Sequence, residues 1–136
     1  MNQDEATHVA ELTREECLHL LQDQAYVGRI GLVVDGRPLV LPVNYLAESD
    51  AIIFCTGSGT KLDAARNGVD VAFEVDDSRP LQHAGWSVVI QGKAHEITGQ
   101  DEIEKLRRGP LKSWVAAPSQ HWVRISLETI SGRRIH

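Results

Sequence analysis

The chain has 136 residues, of which 42% are hydrophobic and 24% charged, with a net charge of -5 at pH 7. This is the size of one globular domain with a single core, which excludes extensive disorder and a multidomain assembly. The acidic balance and the 5% aromatic content disfavour nucleic-acid binding, which needs a basic surface and stacking rings. No apolar stretch approaches the roughly 20 residues of a membrane span, and the start of the chain does not resemble a secretory signal. We therefore expect a cytoplasmic protein.

The N-terminal part of the chain predicts an arm followed by a helix. Residues 1–11 are polar and are expected to form a loose arm before a domain of residues 12–136. Thr13 and Glu16 have the spacing of a capping box, which predicts a helix that begins there. Cys17 and the leucines that follow give this helix one apolar side, and the helix is predicted to end near Asp23.

A β-meander is predicted next. Residues 26–34 are β-branched and punctuated by glycine, and the following pair, Asp35 and Gly36, is typical of a two-residue hairpin turn. The return strand, residues 38–46, contains Pro42. Because proline donates no backbone hydrogen bond, it indicates a sheet edge or a bulge.

The rest of the chain predicts further strands and two more short helices. Strands are expected at residues 51–56, 69–75, 86–97 and 122–130, a polar loop at 76–85, and helices at 60–67 and 98–108. Thr60 and Thr98 are expected to cap these helices, and Gly68 has the position of a C-terminal cap. Six strands and three short helices, joined mostly by turns, favour a mainly β fold, namely a small antiparallel barrel.

Few residue patterns in this chain indicate catalysis or metal binding. Cys17 and Cys55 lack a CxxC motif and are expected to be free thiols. The histidines are scattered singly, so no metal site is predicted. The acidic residues, Glu74 and Asp76 among them, are explained by a solvated face, and no catalytic residue is assigned.

The segment that follows the strand at residues 51–56 is the best candidate for a binding site. Backbone N–H groups at a helix start, small residues and Lys61 are typical of an anion cradle. A capped helix with a solvated Lys61 explains the same pattern. Asn44, in an otherwise apolar strand, is either a surface or bulge residue or an amide that binds the edge of a heterocycle. Trp86 fits a core, an interface or a ligand wall.

In chain order, six motifs together resemble the pyridoxamine 5′-phosphate oxidase-like flavin-binding split-barrel family, in its short bacterial branch. The resemblance spans about residues 12–135. The motifs are VGRIG at 27–31, GRPLVLPVNY at 36–45, IFCT at 53–56, GTK at 59–61, VAFEVD at 71–76 and GWSVVIQGKA at 85–94.

The resemblance implies a homodimer of six-stranded antiparallel split β-barrels, with FMN bound at the dimer interface. The implied activity is that of an oxidoreductase on a small organic redox substrate. Pyridoxamine phosphate itself is not expected, because the vitamin B6 oxidases have Ser-Arg-Lys in the phosphate loop where this chain has GTK at 59–61. The implied flavin contacts are Pro42, Val43, Asn44 and Tyr45 for the ring, Thr56, Ser58, Thr60 and Lys61 for the phosphate, and Trp86 and Ser87 from the partner subunit.

Two alternatives to an FMN-dependent oxidoreductase stay open. One is a reductase that uses the deazaflavin F420. The other is a non-catalytic flavin- or haem-binding protein, in which His121 or His136 would be the haem ligand.

Overall fold

The computed structural model describes residues 8–23, 27–111 and 119–135. Within these ranges the chain forms nine strands of one antiparallel sheet, three α-helices and one short 3-10 turn. In chain order the elements are β1 (Val9–Leu12), α1 (Arg14–Asp23), β2 (Val27–Val34), β3 (Arg37–Asn44), β4 (Leu46–Ala47), β5 (Ala51–Thr56), α2 (Thr60–Arg66), β6 (Asp70–Arg79), the 3-10 turn (Pro80–Gln82), β7 (Ala84–Ile97), α3 (Gln100–Arg107), β8 (His121–Ser126) and β9 (Thr129–Ile135).

Strand β7 joins the two halves of the sheet. The strand order is β3-β2-β6-β7-β8-β5-β4, and β9 pairs with both β7 and β1. Residues 85–91 of β7 pair with β9, whereas residues 94–97 pair with β8. The change of partner falls at Gly92, where a Cβ atom would overlap the carbonyl oxygen of Ser126. The sheet therefore curls into a half-barrel, and the predicted mainly β fold with short helices is confirmed.

The predicted turn chemistry of the N-terminal part is confirmed. The Glu16 N–H donates to Thr13 Oγ1 over 3.1 Å, and the Thr13 N–H donates to Glu16 Oε1 over 2.9 Å, which is a complete capping box. Asp35 and Gly36 have φ values of 51° and 75°, as a tight hairpin turn between β2 and β3 requires. Strand β3 ends the strand order, so Pro42 lies on an edge strand.

The predicted caps of the two later helices are wrong. Helix α2 begins after Gly59 and α3 after Gly99, and neither helix has a side-chain cap bond. Thr60 is the first residue of α2. The predicted end of α2 is confirmed, since Gly68 follows it with a φ of 61°.

The structure has more strands than the six predicted. The arm expected at residues 1–11 contains part of β1, which pairs with β9, while residues 1–7 lie outside the described residues. The polar segment 76–85 is a continuation of β6 and the start of β7, paired up to Arg79 and Ala84. The single strand expected at 122–130 is divided between β8 and β9.

The main core packs against one face of the sheet. Its largest fully buried side chains include Phe54, Phe73, Ile30, Ile52, Ile90 and Ile125. A smaller cluster, made of Ile53, Ile97, Leu106 and Trp122, lies under α3. Neither Cys17 nor Cys55 is in a disulfide bond among the described residues, as predicted. None of the described helices combines the length and the apolarity needed to cross a membrane.

Candidate functional site

The strand register assigns the predicted ring contacts to two faces of the sheet. Successive side chains along a strand point to opposite faces. Val43 is buried in the core, so its neighbours Pro42 and Asn44 lie on the opposite side, which we call the outer face. Val88 is also in the core, which places Ser87 on the outer face. Pro42, Asn44 and Ser87 therefore share one surface.

Tyr45, predicted to contact the flavin ring, has its side chain in the core. Its hydroxyl donates a hydrogen bond of 2.9 Å to the carbonyl oxygen of Leu21 in α1, and its ring meets Phe73 edge-on at a centroid distance of 5.3 Å. Burial raises the pKa of Tyr45. The side chain thus fastens α1 to the end of β3, and only the backbone of this residue is left to meet a ligand on the outer face.

Trp86 lies on the core side of β7, away from Ser87. It lines a cleft of about 390 Å³ together with His19 and Leu20 of α1 and Arg134 of β9. The two adjacent residues predicted to close the site from the partner subunit therefore belong to different surfaces of this chain.

A second cleft lies on the outer face beside Ser87. Its volume is about 480 Å³, and it is lined by Ser87 and Val89 of β7 and by residues of β1 and β9 that include Glu11 and Arg133. In the register, Ser87 is opposite both Asp76 of β6 and Arg133 of β9. The outer face thus offers a concave surface of mixed polarity where β7, β9 and β1 meet.

A charged cluster on the outer face was not predicted from the sequence. Nη1 of Arg29 lies 2.9 Å from Glu74 Oε1 and 3.1 Å from Asp76 Oδ2, so one guanidinium nitrogen contacts two carboxylates. Burial raises the pKa of Glu74 to about 7, aided by the hydrogen bond and the charge of Asp76 and opposed by Arg29. The signal was present in the sequence as two acidic residues spaced two apart in a strand, which places both on one face.

The predicted phosphate loop runs from the end of β5 into α2. Thr56 is buried at the end of β5, Ser58 is exposed, and Thr60 and Lys61 are the first two residues of α2. Lys61 is half-buried and has no ion-pair or hydrogen-bond partner among the residues that the structure describes. The loop therefore carries a positive charge that the described part of the chain leaves uncompensated.

The chain brings this loop to the same end of the sheet as the predicted ring contacts of β3. Leu46 of β4 lies opposite Ile53 of β5 in an antiparallel pair. Asn44 precedes Leu46 and Thr56 follows Ile53, so both lie in the same direction from that pair. The segments 42–45 and 56–61 therefore extend in the same direction from the β4–β5 pair.

An ion-pair network lies beside the loop. Arg66 of α2 donates from Nε to Glu96 Oε1 over 2.8 Å, and His121 Nδ1 lies 3.3 Å from Glu96 Oε2. The hydrogen bond from Arg66 is the main reason why the pKa of Glu96 is lowered. His121, one candidate haem ligand, is thus engaged by a carboxylate, and the other candidate, His136, lies outside the described residues. No group of three potential ligands that could hold a metal ion occurs within residues 8–23, 27–111 and 119–135.

The curled antiparallel half-barrel, with a lysine-bearing loop after β5, defines the split-barrel class of protein. The model of the pyridoxamine 5′-phosphate oxidase family matches residues 13–134. The chain belongs to this family, as its sequence motifs predicted.

Three relatives show how far the similarity extends. The uncharacterized protein Rv0080 of Mycobacterium tuberculosis is 33% identical over 135 residues, which cover 96% of this chain and 88% of that protein. The structure of the FAD binding protein from Mycobacterium smegmatis has a TM-score of 0.79 at 34% identity and covers 92% of this chain and 97% of that one. A FAD-binding protein from Mesorhizobium loti has a TM-score of 0.75 at 25% identity, with 96% and 98% covered.

Proposed function

We propose that the protein binds a flavin through its phosphate and acts as a flavin-dependent oxidoreductase on a small organic substrate. Two relatives that share its fold over nearly their whole length are FAD-binding proteins. The observation in this chain that carries the proposal is the uncompensated Lys61, held half-buried among hydroxyl residues after β5. A bound flavin would supply the redox chemistry, and the protein its binding and orientation.

The loop residues fit a phosphate by their chemistry. The ammonium of Lys61 provides a charge-assisted hydrogen bond, and the hydroxyls of Thr56, Ser58 and Thr60 are further donors. A phosphate group would compensate the charge that no described residue pairs with. FMN is the smallest flavin that carries this group, whereas the two relatives of known structure are FAD-binding proteins, which favours FAD as the ligand. Both ligands place a phosphate at the end of the ribityl chain, so the proposed contact is common to them.

The outer face fits the flavin ring. Asn44 lies there next to Pro42, and its amide can donate to a ring carbonyl and accept from a ring N–H group. The side chains of Val43 and Tyr45 are in the core, so they support the strand that carries this surface. Asn44 would thus orient the edge of the ring, and the buried side chains of Val43 and Tyr45 would take no part in the reaction.

We further propose that the outer face is covered by a second copy of the chain. Val27, Val33 and Val40 on this face are 53%, 68% and 63% exposed, which is an unusual number of bare valines on adjacent strands. A two-fold dimer would bury them and bring Ser87 of the partner subunit toward the site. Val33→Lys and Val40→Lys are expected to yield a monomer by light scattering, and a wild-type monomer at micromolar concentration refutes the dimer.

The experiment that tests the function is a titration of purified protein with FMN, FAD, riboflavin, F420 and haemin, followed by absorption and fluorescence. Binding of FMN or FAD that exceeds binding of riboflavin is the expected result. A protein that stays colourless with both flavin nucleotides refutes the proposal. F420 binding alone indicates a deazaflavin enzyme, and a Soret band with haemin alone indicates haem binding. Turnover of quinone or nitroaromatic acceptors then separates an enzyme from a protein that only binds its flavin.

A further inference from the structure

His121 lies beside the loop that is proposed to bind the flavin phosphate. It is the first residue of β8 and is directly opposite Thr56, the last residue of β5, in the antiparallel register. The Cα atoms of such a pair are about 4.5 to 5.5 Å apart, and the two side chains project from the same face of the sheet. This is the core face, since Phe54 and Val123, each two positions away along its strand, are buried in the main core. His121 is therefore a neighbour of the Thr56 side chain, one of the proposed phosphate contacts.

The ion-pair network decides which edge of the imidazole can meet a ligand. Nδ1 of His121 lies 3.3 Å from Oε2 of Glu96, whose other oxygen accepts from Arg66. Because an ionised carboxylate only accepts hydrogen bonds, Nδ1 carries the hydrogen of this contact. Nε2 is on the opposite edge of the ring, and no described residue forms a hydrogen bond with it. The His121 side chain is 26% exposed, so a ligand at the loop can reach this edge.

The charges around His121 sum to zero until the imidazole itself gains a proton. Strand β8 contacts β5, β7 and α2. Strand β5 has no charged residue, and Arg124, the other charged residue of β8, points to the opposite face. The charged residues that remain on β7 and α2 near His121 are two acids and two bases: Glu96, Asp63, Lys61 and Arg66. A proton on His121 would give this group the net positive charge that a phosphate balances.

We propose that His121, in its imidazolium form, is a further phosphate contact of the flavin site and donates a hydrogen bond from Nε2 to a phosphate oxygen. This inference rests on the proposed flavin site. The imidazolium has two N–H donors, so the bond to Glu96 and the bond to the phosphate use different hydrogens. The bond to the phosphate is charge-assisted, and the carboxylate of Glu96 behind the ring stabilises the charged form.

A pH-dependent affinity for flavin nucleotides follows from this contact. Histidine side chains change charge between about pH 5 and 8. Where the free protein has lost the proton of His121, the ligand must bind together with a proton, so the affinity falls by up to about tenfold per pH unit as the pH rises. FAD is the suitable probe, because its diphosphate does not titrate in this range. Riboflavin is the reference, since it has no phosphate and its affinity is expected to stay level.

The test measures dissociation constants of FAD and riboflavin by fluorescence between pH 5.5 and 8.5. His121→Gln removes the charge and the titration, so its FAD affinity is expected to fall about tenfold at the acidic end and to be level with pH, with riboflavin unchanged. Glu96→Gln removes the carboxylate behind the ring, and its FAD profile is expected to move to lower pH. His95→Gln is the matched control, because His95 is an exposed histidine of β7 on the face opposite to Glu96, and it is expected to keep the wild-type profile.

Each outcome supports or overturns the inference. A level FAD profile in His121→Gln together with a shifted profile in Glu96→Gln supports it. A wild-type slope that persists in His121→Gln overturns it and leaves the flavin site standing, and so does a loss of riboflavin affinity as large as that of FAD or a wild-type FAD profile without slope. Should His121→Gln fail to fold, an unshifted FAD profile in Glu96→Gln overturns the inference by itself. Absence of flavin binding by the wild-type protein at every pH overturns both proposals.

Discussion

Removal of the Lys61 charge is the most direct test of the phosphate loop. Lys61 is a half-buried residue with no partner among the described residues, so a bound phosphate would gain a charge-assisted contact that costs the protein no existing ion pair. Such a contact contributes about 1.5 to 3 kcal/mol. Lys61→Met keeps the aliphatic stem and removes the charge, and it is expected to weaken FMN binding about 10- to 150-fold. Titration of flavin fluorescence at fixed salt measures the loss.

Riboflavin and a second lysine provide the controls for this variant. Riboflavin lacks the phosphate, so its affinity is expected to be the same for wild type and Lys61→Met. Lys93→Met removes a lysine that is already paired with Asp70, and it is expected to leave FMN affinity within twofold. If Lys61→Met leaves the FMN affinity unchanged, the phosphate is bound elsewhere and the reasoning is refuted. The same holds if the variant lowers the riboflavin affinity as much as the FMN affinity.

Three further predictions concern the fold around the site. Gly92→Ala puts a Cβ into the carbonyl oxygen of Ser126, where only backbone movement can relieve the overlap, so a loss of about 3 kcal/mol or more in chemical denaturation is expected. Tyr45→Phe leaves a carbonyl of α1 without its donor and is expected to cost about 1 kcal/mol by the same assay. Because folding lowers the pKa of Glu96, its carboxylate stabilises the fold at any pH above the ordinary pKa of the group, and protonation in acid removes that stabilisation. Between about pH 5 and pH 3, Glu96→Gln is therefore expected to lose less stability than the wild type.

The parts of the fold that the sequence predicts correctly depend on contacts between near neighbours. The capping box at Thr13 and the turn at Asp35 each require residues no more than three positions apart, and both are present. The division of the last strand depends instead on a distant contact. The Leu127 N–H donates to the carbonyl of Asp50, which turns the chain between β8 and β9 without glycine or proline. No local pattern in the sequence announces that turn.

The same distinction explains which site residues could be predicted. The loop that ends in Lys61 is continuous in the sequence, so its composition alone indicated an anion site. In the charged cluster, Arg29 is 45 residues from Glu74 and 47 from Asp76 along the chain. Without the register of β2 and β6, the two acids resemble an ordinary solvated surface. Pairing brings one arginine between two carboxylates and partly removes them from water. Burial beside Asp76 then raises the pKa of Glu74, an effect of the folded sheet that neither segment indicates by itself.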